Sequence, residues 1–170
     1  ICKEAAYDFV ILESAGVGQS DASILEYCNV SMYVMTPEYG APSQLEKINM
    51  LDYADVVVLS EMTVRFEAAL QRSALLQRYP TVVRETDNVL LTRLPVADQG
   101  IRRHGGVDLP SATVIVGGRK VLVLAVHTSA PHARGTIDTW EREFDAIDRV
   151  ATDADDVIAI GDFNAGPWNG

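Results

Sequence analysis

The sequence is short of cysteine, of basic side chains and of long apolar runs, and each shortage removes a class of protein. Cys2 and Cys28 are its two cysteines among 170 residues. They are too few for a disulfide-stapled scaffold and read as free thiols of a cytosolic-type chain rather than as a bridge. The 14 Lys and Arg stand against 24 Asp and Glu, giving a net charge of -10 and a pI near 4.6. That balance argues against a generic basic surface for nucleic acid. A metal-assisted phosphate site remains open, because divalent ions can supply the positive charge. No apolar run approaches the ~18 residues of a membrane span, and no secretory leader is read. The chain begins with Ile1 rather than Met, which reads as a fragment, and the expected compartment is the cytoplasm.

What is present suits a folded protein. Hydrophobic residues make up 48% and charged residues 22%, the balance of a globular chain rather than a disordered one. The length is enough for one domain with a real core, or for two incomplete ones.

The first third alternates strand and helix. "YDFVILES" (7–14) reads as a strand, "SDASILEYC" (20–28) as a short helix and "VSMYVM" (30–35) as a second strand. "PSQLEKINMLDYA" (42–54) reads as a helix with Pro42 in its first turn and Leu45, Ile48 and Leu51 on one face. "DVVVLS" (55–60) is a short, β-branched, buried strand. Beyond it the pattern predicts a helix over 63–78 with Phe66, Ala69, Leu70 and Ala74 on one side, and strands "TVVRE" (81–85) and "NVLLTR" (88–93). A loop "DQGIRRHGG" (98–106) follows, then a hairpin of "SATVIV" and "KVLVLAVH" joined through Gly117, Gly118 and Arg119. A helix from 136 to about 151 should bury Ile137, Trp140, Phe144 and Ile147, and "DVIAIG" (156–161) is the last strand. The expected fold class is α/β: parallel strand–helix units continuing into a mixed or antiparallel sheet covered by helices, as a single compact unit over 1–170.

Polar residues gather at strand ends, where α/β folds keep their sites. Glu61 follows the 55–60 strand, and His127 ends the second arm of the hairpin. Asp162 and Asn164 follow the last strand in "GDFNAG". Asp162 and Asn164 are two apart, so both side chains can project the same way from extended backbone. One can accept a proton or bind a metal, and the other can hold a phosphate oxygen or orient a nucleophile. Singly, each could be a turn or cap residue; their conjunction points to phosphate chemistry.

"DVVVLSE", "NVLLTRLPV", "HTSAP" and "GDFNA" stand in the order of pieces of the endonuclease/exonuclease/phosphatase superfamily, and residues from about 54 to 170 resemble that family, the deoxyribonuclease I-like fold. The resemblance implies a Mg²⁺- or Mn²⁺-dependent phosphoesterase acting on a phosphate ester of nucleic acid, phospholipid or a small molecule. Glu61 would hold the metal. His127 and Asn164 would hydrogen-bond phosphate oxygens, and Asp162 would orient or deprotonate the attacking water. Arg93, with Arg102, Arg103 and His104 in the 98–106 loop, could steer an anionic substrate, or that loop could be a solvated turn. The family's early metal-binding Asn is not carried over to Asn29, which precedes its strand. The family's closing Ser-Asp-His-like motif is not in the sequence, so the expected turnover is weak and an unpaired sheet edge could support a homodimer.

Residues from about 6 to 58 resemble a different family. "YDFVILESAGVGQSD" and "VSMYVMTPEYGAPSQLEKINMLDYADVVVL" are similar to the G domain of the GTPases that serve methylmalonyl-CoA mutase and of fused isobutyryl-CoA mutase. By that resemblance Glu13, Gly16, Gly18 and Gln19 would inherit a position toward the nucleotide γ-phosphate. The phosphate-binding G-x-x-x-x-G-K-[ST] loop is missing, and "VVVL" leads into "SEMT" instead of the guanine-reading motif. The sequence therefore reads as a chimera joined within a strand that both families possess: a GTPase-like segment over 1–57 and a partial phosphoesterase-like segment over 58–170.

Overall fold

The computed structural model describes residues 7, 9–13, 24–36, 49–132 and 134–165. Two four-stranded mixed sheets organise them. In the first, β1 (Met32–Met35) and β2 (Val56–Leu59) run parallel, connected through α1 (Asn49–Tyr53). β2 pairs antiparallel with β4 (Asn88–Thr92), and β4 with β3 (Thr81–Glu85). Helices α2 (Val64–Arg72) and α3 (Leu75–Arg78) lie between β2 and β3 in the chain. The second sheet has the order β5 (Val96–His104), β6 (Val107–Val116), β7 (Arg119–His127) and β8 (Val157–Asp162). Its first two pairings are antiparallel, and β7 and β8 are parallel, with α4 (Arg134–Ala151) between them in the chain. The α/β class and its mixed sheets are those the sequence implies.

The apolar run of β2 is continuous because both of its faces are covered. Val57 and Leu59 pack with Leu51, Phe66, Leu70 and Tyr79 on the helical side. Val56 and Val58 pack with Ala112, Val114, Val123 and Ala125 of the other sheet. A period of two thus divides one strand between two cores. A third cluster joins Ile147 and Val150 of α4 to Leu122, Leu124 and Val126 of β7. The layers are helices, sheet, sheet, helix, and the strand ends are left free to carry chemistry.

Several expectations need correction. The described part of the 7–14 run is not a strand. Tyr7, Phe9, Val10, Ile11 and Leu12 stand exposed, and no described strand offers them the hydrogen-bond partners that a β conformation requires. Of the 20–28 helix, the described residues form only a 3₁₀ turn at 24–27, and of the 42–54 helix only α1 is described. The 63–78 helix is broken at Ser73, whose backbone is extended. The Ser73 hydroxyl donates to Leu70 O at 2.8 Å and accepts from Leu75 N–H at 3.3 Å. Such local bonding ends one helix and starts the next. The break turns Leu75 inward and leaves Ala74 exposed.

The 98–106 loop is mostly strand β5, paired along β6 from Val96↔Val114 to His104↔Val107 with an irregularity between Val96 and Asp98. Its charges mislead because an edge strand carries polar side chains by design. Gly105 and Gly106, at φ 59° and 82°, make the two-residue turn. Gly117 and Gly118 close the next hairpin in the same way, at φ 57° and 83°. On α4, Ile147 is buried but Ile137 is exposed, and Ala146 and Val150 complete the inner face.

Candidate active site

Strand polarity brings residues from both sheets to one place. β2 runs out at Leu59, and Ser60 and Glu61 follow. The antiparallel register Leu59↔Val89 carries the start of β4, and so Asp87 before it, to the same end. Met62 N–H donates to Asp87 O at 2.9 Å and ties the two connections together. In the second sheet β7 and β8 end side by side, with His127 paired to Asp162. Ligand atoms of Glu61, His127 and Asp162 all lie within 4.8 Å of one another.

Backbone geometry at this end is specialised. Glu61 adopts φ 57° and Asn164 φ 45°, left-handed values that a glutamate adopts at a cost of about 1–3 kcal/mol. Gly161, at φ 148°, cannot be replaced without rearrangement: a Cβ there would stand 1.9 Å from Val126 O. The glycine of "GDFN" therefore lets β8 approach β7 closely enough to set Asp162 beside His127.

The polar contacts are directional. His127 Nδ1 lies 3.1 Å from Asp87 Oδ2, and its Nε2 lies 3.7 Å from Glu61 Oε1. Asn164 N–H donates to Asp162 Oδ1 at 2.9 Å, and Asn164 Nδ2 donates to Thr128 O at 2.6 Å. Thr128 N–H donates to Asp162 O at 3.0 Å. The Thr128 hydroxyl and Trp140 Nε1 both donate to Phe163 O, at 2.5 and 2.9 Å. Ser129 donates through N–H and hydroxyl to the Glu143 carboxylate, at 2.6 and 2.9 Å. The segments after β7 and β8 are thus bolted to each other and to α4. Sequence reasoning missed Asp87 and Glu143. Asp87 lies in a turn whose importance shows only once the β2–β4 register is known.

The arginines are elsewhere. Arg93 follows β4 at the end opposite Glu61, since Thr92 pairs with Val56. Its guanidinium donates to Asp52 O at 2.9 Å and to Leu51 O at 3.1 Å, capping the C-terminus of α1. It also lies over the ring of Tyr79. The Tyr79 hydroxyl donates to Leu51 O and Ala54 O, and burial pushes its pKa up. Arg102 and Arg103 lie at the His127 end of the second sheet but on β5, two strands from β7 and so about 10 Å away. They pair with Asp98 and Asp108. Glu13 is exposed and outside any regular element, whereas Gly16, Gly18 and Gln19 lie outside the described residues, as does Cys2. Cys28 is a free thiol.

The donor set suits a divalent cation. Two carboxylates and an imidazole face one another, and Asp87 adds a third negative charge behind the imidazole. Beside Glu61 and Asp87, the buried Ser60 Oγ and Asn88 Oδ1 have no hydrogen-bond partner among the described residues. A site so acidic repels a phosphate ester until a cation offsets it. No helix among the described residues is long and apolar enough to cross a membrane.

Known proteins resemble the chain in two ways. The family profile described as "Methylmalonyl Co-A mutase-associated GTPase MeaB" matches residues 1–103. The fused isobutyryl-CoA mutase of Nocardia farcinica is 61% identical over 64 residues, which are 38% of this chain and 6% of that protein. That of Geobacillus kaustophilus is 59% identical over 61 residues, 36% of this chain and 6% of its own length. The chain therefore spans a small fraction of these curated relatives. Solved structures match by fold. Sphingomyelinase C from Streptomyces griseocarneus superposes with a TM-score of 0.60 at 16% identity, over 81% of this chain and 64% of its own. A humanized TDP2 from D. rerio superposes with a TM-score of 0.63 at 16% identity, over 82% and 64%. Both belong to the endonuclease/exonuclease/phosphatase superfamily. Their coverage exceeds what residues beyond 57 can supply, so part of the mutase-like segment shares in the superposed fold.

Proposed function

Because the chain belongs to the methylmalonyl Co-A mutase-associated GTPase MeaB family over residues 1–103 and shares the fold of phosphoesterases, we propose that its chemistry is that of the fold: hydrolysis of a phosphate ester with a divalent metal, Mg²⁺ or Mn²⁺. On this reading the mutase-like segment serves as scaffold, one unit with the rest. The observation that carries it is the convergence of Glu61, His127 and Asp162 at the ends of strands from two sheets.

Glu61 and Asp162 hold the cation through carboxylate oxygens. When bound, the metal polarises the phosphoryl group and stabilises charge on the leaving oxygen. Asp162 also orients or deprotonates a water at its free oxygen, since Oδ1 is engaged by Asn164 N–H. Asn164, held by Thr128 O, donates through its amide N–H to a phosphate oxygen. His127 offers Nε2 to the phosphate or to the metal. Substrates of either neighbour's kind, a sphingolipid phosphodiester among them, fall within the class.

The test is hydrolysis of bis(p-nitrophenyl) phosphate with Mn²⁺, with EDTA and with Asp162→Ala. The expected result is metal-dependent turnover lost in the variant. Absence of turnover with every divalent ion tried would remove the enzymatic reading, and a GTP-dependent rise in Tm would favour a nucleotide-binding remnant instead.

A further inference from the structure

We propose that the outer edge of β1 is a self-association surface, on which a second copy of this chain lays its own β1 antiparallel about a two-fold axis, so that the two first sheets become one. The pairing is independent of the phosphoesterase reading and needs neither metal nor turnover.

Each sheet has two edges, and three of the four are defended. β3 follows Pro80 and carries Arg84 and Glu85. β5 carries Asp98, Arg102 and Arg103 and an irregularity between Val96 and Asp98. β8 is apolar from Val157 to Ile160, but Asp155 and Asp156 precede it and Asp162 ends it. A two-fold copy at β8 would set those acids against one another. Charges, prolines and irregularities of this kind keep edges from pairing. β1 has none of them: from Tyr27 to Thr36 there is no Asp, Glu, Lys, Arg or Pro. Two copies of net charge -10 repel, and this uncharged stretch is where they meet at least cost.

The backbone of β1 supplies the bonds. Ser31 O accepts from Val56 N–H at 3.1 Å, and Met35 O accepts from Ser60 N–H at 3.0 Å. Alternate residues from Ser31 therefore turn their backbone groups toward β2. Met32 and Val34 turn theirs outward, where no described strand pairs with them. A two-fold axis at Tyr33 sets Met32 against the partner's Val34 and Val34 against the partner's Met32. Both are hydrogen-bonded pairs, each exchanging two N–H···O bonds. The surroundings are apolar and exposed: Val34 at 38%, Tyr53 at 57% and Tyr27 at 72%. Tyr53 and Leu25 line a cavity of about 190 Å³ beside Ser31, the end of β1 that the partner's strand end reaches in this register. Tyr and Met, which dominate the surface, are residue types enriched at interfaces.

The test is sedimentation velocity of the whole chain over a concentration series, at low salt and at about 1 M NaCl, with hydrogen exchange on the same samples. The expected result is a monomer–dimer equilibrium that tightens several-fold as salt screens the repulsion, with the Met32 and Val34 amides protected only as the dimer fills. Val34→Pro removes an outward N–H from each copy, and Val34→Lys places a charge on the edge. Each should weaken dimerisation at least about 10-fold. Ile115→Lys, which alters an exposed apolar residue of β6, should leave it unchanged. A monomer at every concentration up to about 0.5 mM would overturn the proposal. So would Met32, Val34 and Phe9–Leu12 amides protected together at all concentrations, which would assign the edge to the chain's own apolar segment. A dimer equally tight in Val34→Lys would overturn it too, by placing the contact elsewhere. The parent chain alone decides the first two outcomes, whether or not a variant folds.

Discussion

Replacing Gly161 by alanine should be far more damaging than its single methyl group suggests. A Cβ at this position would stand 1.9 Å from Val126 O, and an ordinary carbon–oxygen contact of about 3.2 Å requires β8 to retreat from β7 by roughly 1.3 Å. The contact is backbone against backbone, so no side chain can swing away. The φ of 148° adds a strain of about 1–3 kcal/mol for any residue with a Cβ, and forced separation of packed strands adds about 1–3 kcal/mol. One or two weakened ladder bonds contribute about 1 kcal/mol each. A central value near 5 kcal/mol lowers Tm by about 10–20 °C for a chain of this size. Two other glycines calibrate the result. Gly117 has open space but φ 57°, so Gly117→Ala should cost about 1 kcal/mol. Gly135 in α4 has open space and no such φ, so Gly135→Ala should stabilise by about 0.4–1 kcal/mol. Thermal and urea unfolding of the three variants provide the measurement. A Gly161→Ala midpoint within a degree or two of that of Gly117→Ala would refute the close approach of β7 and β8, and with it the setting of Asp162 beside His127.

Two further predictions concern the cap on α1. Arg93→Met removes a charged donor from Asp52 O and Leu51 O and should cost about 2–4 kcal/mol, while Mn²⁺ binding at the opposite end of the sheet stays unchanged; lost binding with unchanged stability, by calorimetry and melting, would contradict this placement. Tyr79→Phe forfeits two bonds to α1 carbonyls and is expected to cost about 1–3 kcal/mol near neutral pH. Burial holds the Tyr79 pKa above its ordinary 10, so as pH climbs past 10 the unfolded chain loses its proton first and the parent is destabilised. Phenylalanine lacks that penalty, and the stability gap between parent and variant should narrow above pH 10. A gap constant from pH 7 to 11 in urea titrations would count against it.

The strands were legible in the sequence where local pattern and tertiary burial agree. Val56 to Leu59, Asn88 to Thr92 and the Gly117–Gly118 hairpin arms carry β-branched runs bounded by turn residues, and all are strands. The pattern misled where it is local and the outcome is not. Phe9 to Leu12 has a strand's composition, but no described neighbour pairs with it. The 98–106 segment has a loop's composition but gains a full antiparallel partner in β6. At the site, Glu61, His127 and Asp162 could be named because each follows a recognisable strand. Asp87 could not, because only the register Leu59↔Val89 carries its turn to Glu61. Arg93 was credited to the substrate because charge is visible in a sequence, while the open carbonyls of α1 that it satisfies are not.

Those carbonyls also bear on how the earlier and later parts of the chain share one sheet. The parallel β1–α1–β2 unit comes from the part that resembles the mutase G domain, and its hydrophobic demands are generic: any strand with apolar residues on both faces could occupy the place of β2. Its polar demands are not generic. The C-terminus of α1 leaves carbonyls that must be satisfied, and Tyr79 and Arg93, which follow β2 in the chain, satisfy them. Thr92 adds a hydroxyl to Asp55 O, and Asp55 Oδ2 accepts from Ser31 N–H at the start of β1. Apolar packing alone would tolerate many placements of α1 against the sheet. The hydrogen bonds specify the junction of α1 and β2, because there donors from later in the chain meet backbone acceptors from earlier in it.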